Sequence, residues 1–357
     1  MQKRVFDGSI DYVQIMDEEG NVDAALMPKD LTDELIVKMY RDMSLARAFD
    51  AKALSLQRQG RIVTYAPTLG QEATQIGSCM AMRENDLFVP NFRQHSLYLL
   101  KGLPMEKMFI SLRGYEDGSK GPKDFKVFPV VVPVGSQVPH AVGLAYAQKY
   151  KKSNAVVVSY VGDGGTSEGD FNEGINFAGV WKVPLVMVIE NNQWAISIPR
   201  KNQTAAVTLA QKAFAAGLKG LQVDGNDVIA VYKAVSDAAK LAATGDPQVI
   251  ECVTYRLGLH TTSDDPLKYR SAEETEEWKK KDPLVRVRKY LAKKGLWDDS
   301  MEQKMADEYR ALIDDGVAKA EAFKPDPNSM FENIYSYIPE TLKDEEDDAI
   351  ASNYWQV

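Results

Sequence analysis

Two strand-like runs end in residues that could share one cation. The run AVVVSYVG leads into Asp163, set among Gly162, Gly164 and Gly165, and the run VPLVMVIE leads into Asn191 and Asn192. A carboxylate and an amide oxygen suit a hard ion such as Mg²⁺, which commonly completes its octahedron with substrate phosphates. Glycines beside the aspartate would let a diphosphate approach the backbone. A helix opening at SEGDFNEG would add free N–H groups and the favourable end of its dipole. Each motif alone reads as a plain turn, since Gly, Asp and Asn all favour turns. Both together, at the ends of successive strands, favour a metal–diphosphate site. GDGGTSEG matches neither the G-x-G-x-x-G dinucleotide fingerprint nor a P-loop.

The two tips can converge only if their strands lie side by side. Strands joined by a single crossover helix are commonly neighbours, and open parallel sheets bind ligands beyond the carboxyl ends of their strands. The surrounding pattern supports such a sheet. Apolar runs rich in β-branched residues (AVVVSYV, VPLVMVIE, LQVDG, PQVIECVTYR) alternate with helical stretches (QVPHAVGLAYAQKYKK, SEGDFNEGINFAGVWK, TLAQKAFAAGL, DVIAVYKAVSDAAKLAATG). The expected class is α/β, a parallel sheet with helices on both faces, N-terminal helices and a helical C-terminal extension. Thr32 and Gly60 bracket a long first helix as cap and stop. Residues 115–134, dense in Gly, Pro and Lys, read as a long loop. The expected organisation is a surface arm over 1–30, an α/β domain over 31–270 and a helical region over 271–357.

Bulk properties narrow the classes. The chain of 357 residues carries a net charge of −8, against a general nucleic-acid or membrane-surface binder, which needs clustered Lys and Arg. Cys79 and Cys252 stand far apart in apolar segments and read as buried thiols. No run approaches the roughly 18 apolar residues of a membrane helix, and MQKRVFDGSIDYVQ has no leader-like apolar core. A cytoplasmic protein is expected.

GDG, a crossover helix and NN together resemble the signature of thiamine diphosphate enzymes. The longer stretch GDGGTSEGDFNEGINFAG…NNQWAISIP resembles the alpha subunit of the decarboxylating component of 2-oxoacid dehydrogenase complexes. QGRIVTYAPTLGQEATQIGS, RLGLHTTSDDPLKYR and DPLVRVRKYLAKKGLW extend the likeness across most of the chain. The resemblance implies a thiamine diphosphate-binding fold and the cofactors thiamine diphosphate and Mg²⁺. It places the metal on Asp163, the side chain of Asn192 and the carbonyl of Trp194, with Gly164 and Gly165 along the diphosphate. NFRQH matches the family's Tyr-Arg pair, which sets Arg93 on the phosphates and Phe92 where a tyrosine hydroxyl is usual. Val134 would pack against the cofactor, and His260, in GLHTTSDDP, matches the active-site histidine.

Of the other two histidines, His95 follows Arg93 closely enough to approach the same pocket, and His140 reads as structural or exposed. An imidazole at His260 could orient groups or move protons near neutral pH. Thr261, Thr262 and Ser263 occupy a region that some relatives phosphorylate. The chain has room for one cofactor-binding domain. The resemblance therefore implies a beta subunit, assembled as an α2β2 heterotetramer, that supplies the glutamate on the pyrimidine side. It also implies a lipoyl domain of the acyltransferase core as acyl acceptor. Gly174 and Ala178 would permit close helix approach, within the chain or to a partner. TYAPTLGQEA, GDGGTS and FNEGINFAG favour pyruvate, while SEGD and LHTTSDD lean to a branched-chain 2-oxo acid. An acetoin-cleaving relative and a catalytically silent scaffold paralogue are the alternatives.

Overall fold

The computed structural model describes residues 1–326, 328–332 and 334–352. In chain order the elements are β1 (Tyr12–Val13), α1 (Asp33–Arg58), α2 (Glu72–Met80), β2 (Leu87–Val89), α3 (His95–Leu100), α4 (Met105–Leu112) and α5 (Gln137–Tyr150). They continue with β3 (Val157–Gly162), α6 (Gly169–Trp181), β4 (Leu185–Asn191), β5 (Trp194–Ala195), β6 (Ile198–Pro199), β7 (Lys219–Asp224), α7 (Val228–Ala242) and β8 (Gln248–Val253). Five helices follow: α8 (Ala272–Lys279), α9 (Pro283–Lys293), α10 (Asp299–Ala322), α11 (Ser329–Glu332) and α12 (Glu340–Ser352).

Six strands form one sheet in the order β1-β7-β8-β4-β3-β2, every pair parallel. The period of two along β3 divides the core. Val157 and Val161 face α5 and α6, beside Val138, Val142, Phe171 and Ile175. Val156, Val158 and Tyr160 face the other way, toward Phe49 of α1, Cys79 of α2 and Val231 and Val235 of α7. All seven residues of β4 are buried, which is why its sequence reads as a continuous apolar run. β3 and β4 pair in register from Val157–Leu185 to Gly162–Glu190, so Asp163 and Asn191 leave the same edge together. The expected α/β class holds. No helix among the described residues is long and apolar enough to cross a membrane.

Local signals act where expected. The Thr32 side chain accepts from the Leu35 N–H at the start of α1, and Gly60 adopts φ +71° just past its end. Gly174 of α6 is needed for packing inside the chain, since a Cβ there would stand 2.6 Å from Val138 Cγ1 of α5. One local expectation holds in a tighter form and one is corrected. TLAQKAFAAGL is helical, as a 3-10 helix over Ala210–Ala216 ended by Gly217 at φ +69°. The amides of Leu209 and Ala210 bond Glu251 Oε2, which ties its start to β8. The early segment is not wholly irregular: Tyr12–Val13 pairs with β7, and Ile15 and Met16 are buried with both amides on Asp227 Oδ2, at 2.7 and 2.6 Å.

Candidate functional site

The carboxyl edge of β3, β4 and β8 opens into a cavity of about 400 Å³. Phe92, Arg93, Val134, Asp163, Gly164, Gly165, Asn192, Trp194 and His260, all nine residues singled out from the sequence, line it. His95 does not. It sits in the wall of an adjoining cavity, its ring stacked 4.9 Å from that of Tyr65. His140 is exposed on α5.

Asp163 follows β3 directly and is only 2% exposed. Burial pushes its carboxyl up to about 6, and a Gln203 amide bond and the Arg256 charge only partly offset that. Gln203 Nε2 donates to Asp163 Oδ2 at 2.8 Å. Asn192 is buried as well; its Nδ2 donates to Gln71 Oε1 at 2.9 Å, and its Oδ1 accepts from the Trp194 N–H at 3.2 Å. The Trp194 N–H, which can only donate, thus fixes which end of the Asn192 amide is oxygen. The turn that follows Asn192 is strained. Gln193 and Ile196 both have positive φ, +74° and +53°, and a β-branched residue there is a true outlier of the type that collects at functional sites.

The glycines make the cradle. A Cβ on Gly165 would stand 2.5 Å from Val161 Cγ2 and 3.2 Å from Val134 Cγ1, and one on Gly164 2.6 Å from Ala195 Cβ. α6 begins at Gly169, one 3-10 turn (Gly164–Ser167) after the strand tip. The amides nearest Asp163 therefore belong to that turn and not to the helix.

Opposite the aspartate, the charge is positive. Arg93 is 3% exposed and Arg256 fully buried, and neither has a carboxylate within ion-pair distance among the described residues. Arg93 donates to the carbonyls of Pro67 (2.6 Å) and His260 (3.1 Å). Arg256 donates to the carbonyls of Trp194 (3.2 Å) and Ile196 (2.7 Å). Burial, with Arg256 nearby, pulls the Arg93 guanidinium down to about 10. Buried guanidiniums with no carboxylate in direct contact favour an anion beside them, although Glu190 acts on Arg93 and Asp264 on Arg256 from further away. The Phe92 ring lies under the Arg93 guanidinium, 5.2 Å away, and meets His260 edge-on at 5.9 Å.

His260 Nδ1 lies 3.2 Å from both Arg93 Nη2 and Arg256 Nη1. Guanidiniums only donate, so Nδ1 accepts and the imidazole proton sits on Nε2. Burial, then the two arginines, push this histidine down to about 4, so the ring is neutral at physiological pH. Its loop is pinned by Asp264 Oδ2, which accepts from the His260 N–H at 2.8 Å and from the Tyr269 hydroxyl.

Gln71, Gln203, Arg256 and Glu190 are the participants that sequence reasoning missed. Arg256 stands four residues before His260 at the end of a strand, a placement that could have flagged it. Glu190, pushed up to about 7 by burial, lies in the cavity wall with Gln94 on its Oε2. Its position just before Asn191 was readable, but it looked like a strand end. The glutamines carried no signal. Among the described residues no three His, Cys, Asp or Glu side chains cluster as a metal site. A metal at Asp163 would therefore draw on amide and carbonyl oxygens.

The geometry, a buried Asp163 sharing a cavity and a glycine cradle with the buried Arg93, fits a cation bound together with an anion of high charge. Comparison with known proteins shows the family. The pyruvate dehydrogenase E1 component subunit alpha of Staphylococcus aureus is 44% identical over 338 residues, covering 94% of this chain and 91% of that protein. Its Staphylococcus epidermidis counterpart is 43% identical over the same coverage. Residues 40–328 match the family described as dehydrogenase E1 component, and the chain belongs to that family.

Proposed function

We propose that the chain is the alpha subunit of a pyruvate dehydrogenase component and that its cavity holds thiamine diphosphate and Mg²⁺. The observation that carries this reading is the cavity that brings the buried Asp163 and Asn192 together with the buried Arg93, which has no carboxylate within ion-pair distance among the described residues. Asp163, Asn192 and the Trp194 carbonyl would hold the metal, although that carbonyl already accepts from Arg256. Arg93 and the turn at Gly164–Gly165 would hold the diphosphate, and Arg256, bonded to His260 Nδ1 outside the cavity lining, would add positive charge nearby. When bound, thiamine diphosphate supplies the nucleophilic carbon and the electron sink that decarboxylation of a 2-oxo acid requires. His260, neutral with its proton on Nε2, would hold that proton at the cavity and orient it. Phe92 shields the arginine pair from water but brings no hydroxyl.

A beta subunit supplies the other half of the site, in an α2β2 assembly, with a lipoyl group of the acyltransferase core as acceptor. In support, the described residues contain one six-stranded sheet, and the cavity rim leaves Val132, Val134 and Ile196 exposed. The test is calorimetric titration of thiamine diphosphate, with and without Mg²⁺, into the chain co-purified with its partner. Turnover of pyruvate, a branched-chain 2-oxo acid and acetoin is then compared with an artificial electron acceptor. Metal-dependent binding with pyruvate preferred is the expected result. No binding by the folded pair overturns the reading in favour of a silent paralogue, and another preferred substrate corrects the substrate alone.

A further inference from the structure

Gln203 lies just beyond the 3-10 turn Arg200–Asn202 that follows β6, far from Asp163 in sequence. Its Nε2 uses both hydrogens, one on Asp163 Oδ2 at 2.8 Å and one on the Ile198 carbonyl at 3.1 Å. The amide orientation is therefore determined. Its Oε1 is buried with no donor, 3.7 Å from where a Cβ on Gly164 would stand. A buried acceptor without a partner calls for a donor that the chain itself does not provide.

Resting on the metal reading of Asp163 given above, we infer that Gln203 is a positioning residue that makes the site select Mg²⁺ over Ca²⁺. With one lone pair of Oδ2 engaged by the amide, Asp163 presents a cation chiefly with its other oxygen. A one-oxygen carboxylate suits Mg²⁺, which demands a tight octahedron and keeps several waters; Ca²⁺ tolerates more ligands and readily takes both oxygens of one carboxylate. The orphan Oε1 beside Gly164 can accept from a water on the cation, a contact that again favours the ion that keeps its waters. Were Gln203 merely structural, fastening the β5–β6 hairpin to the strand tip, its loss would weaken both cations alike.

The test uses the full chain co-purified with its partner at saturating thiamine diphosphate. Mg²⁺ and Ca²⁺ are titrated separately by calorimetry into wild type, Gln203→Leu and Gln203→Met, with melting temperature as the control for folding. Outer-sphere contacts of this type typically set metal affinity by about 10–100-fold, so Mg²⁺ binding should weaken by that order and Ca²⁺ binding by less than about threefold. Equal losses for the two ions, or no loss in folded variants, overturn the inference. A crystal structure of the Mg²⁺-loaded wild type gives a check free of variants: a one-oxygen Asp163 with Gln203 still on Oδ2 supports it, and a two-oxygen Asp163 overturns it. Wild type that binds neither ion would instead overturn the metal reading itself.

Discussion

Arg256 and His260 meet at 3.2 Å, guanidinium Nη1 against imidazole Nδ1. A histidine that accepts from one arginine, with a second at the same distance, cannot gain a proton there without facing two fixed positive charges. Replacing Arg256 with Met should raise the His260 pKa from about 4 toward its ordinary value, with burial and Arg93 holding it short of that. Histidine NMR titration of the variant and wild type reads this directly. An unchanged His260 titration would mean that burial and Arg93 set it without Arg256.

Asp163 is costly before any ligand arrives. Its folded pKa, about 6, stands above the unfolded value of 3.8, so the penalty appears as pH rises through that window and is complete above it. Asp163→Asn should therefore stabilise the ligand-free chain at pH 7, by on the order of 2 kcal/mol. The same change should remove metal-dependent cofactor binding. Denaturant unfolding at pH 4 and pH 7, beside calorimetry, tests both halves; a variant no more stable at pH 7 than wild type would contradict the first.

Gly165→Ala should fill the diphosphate cradle, because the new methyl collides with Val161 and crowds Val134. Overpacking of this kind costs about 1–3 kcal/mol of stability, and cofactor affinity should fall with it. The second change Val161→Ala should restore much of both by making room. Failure of the double variant to recover affinity would show that the methyl blocks the ligand itself and not the strand.

His95 offers a stability measurement away from the cavity lining. Burial and Arg93 lower its pKa to about 4 from 6.5. Because the folded value is the lower one, stability is intact above about pH 6.5 and is lost as pH falls toward 4. At pH 5 the loss should be about 2 kcal/mol, and His95→Phe should abolish that share of the pH dependence. Unfolding curves at pH 7 and pH 5 decide the matter, and parallel wild-type and variant curves would refute it.

What the sequence disclosed follows from how local each signal is. Asp163 and Asn192 sit at the ends of apolar runs, and parallel pairing of successive strands brings such ends together without further information. Thr32 and Gly60 mark their helix by contacts within a turn. Gln71 and Gln203 act through single hydrogen bonds to residues 121 and 40 positions away, and no pattern in a linear chain distinguishes them from surface glutamines. The segment Ala210–Ala216 read as helical, but its 3-10 type did not show for a related reason: its start is bonded to Glu251, a carboxylate made much later in the chain.

The strand order also dictates when the molecule can assemble. Among the described residues β1, the earliest strand, has β7 as its only sheet partner, and β7 reaches the rest of the sheet only through β8. A nascent chain that has emerged as far as α7 can pair β3 with β4, yet it still presents the edge of β4 that β8 will cover. Until residues 248–253 arrive, the amino-terminal segment has no anchored sheet to join, and the strand tips carrying Asp163 and Asn192 stand beside an open edge. Synthesis therefore passes through a sticky interval that ends only when the last strand slots into the middle of the sheet.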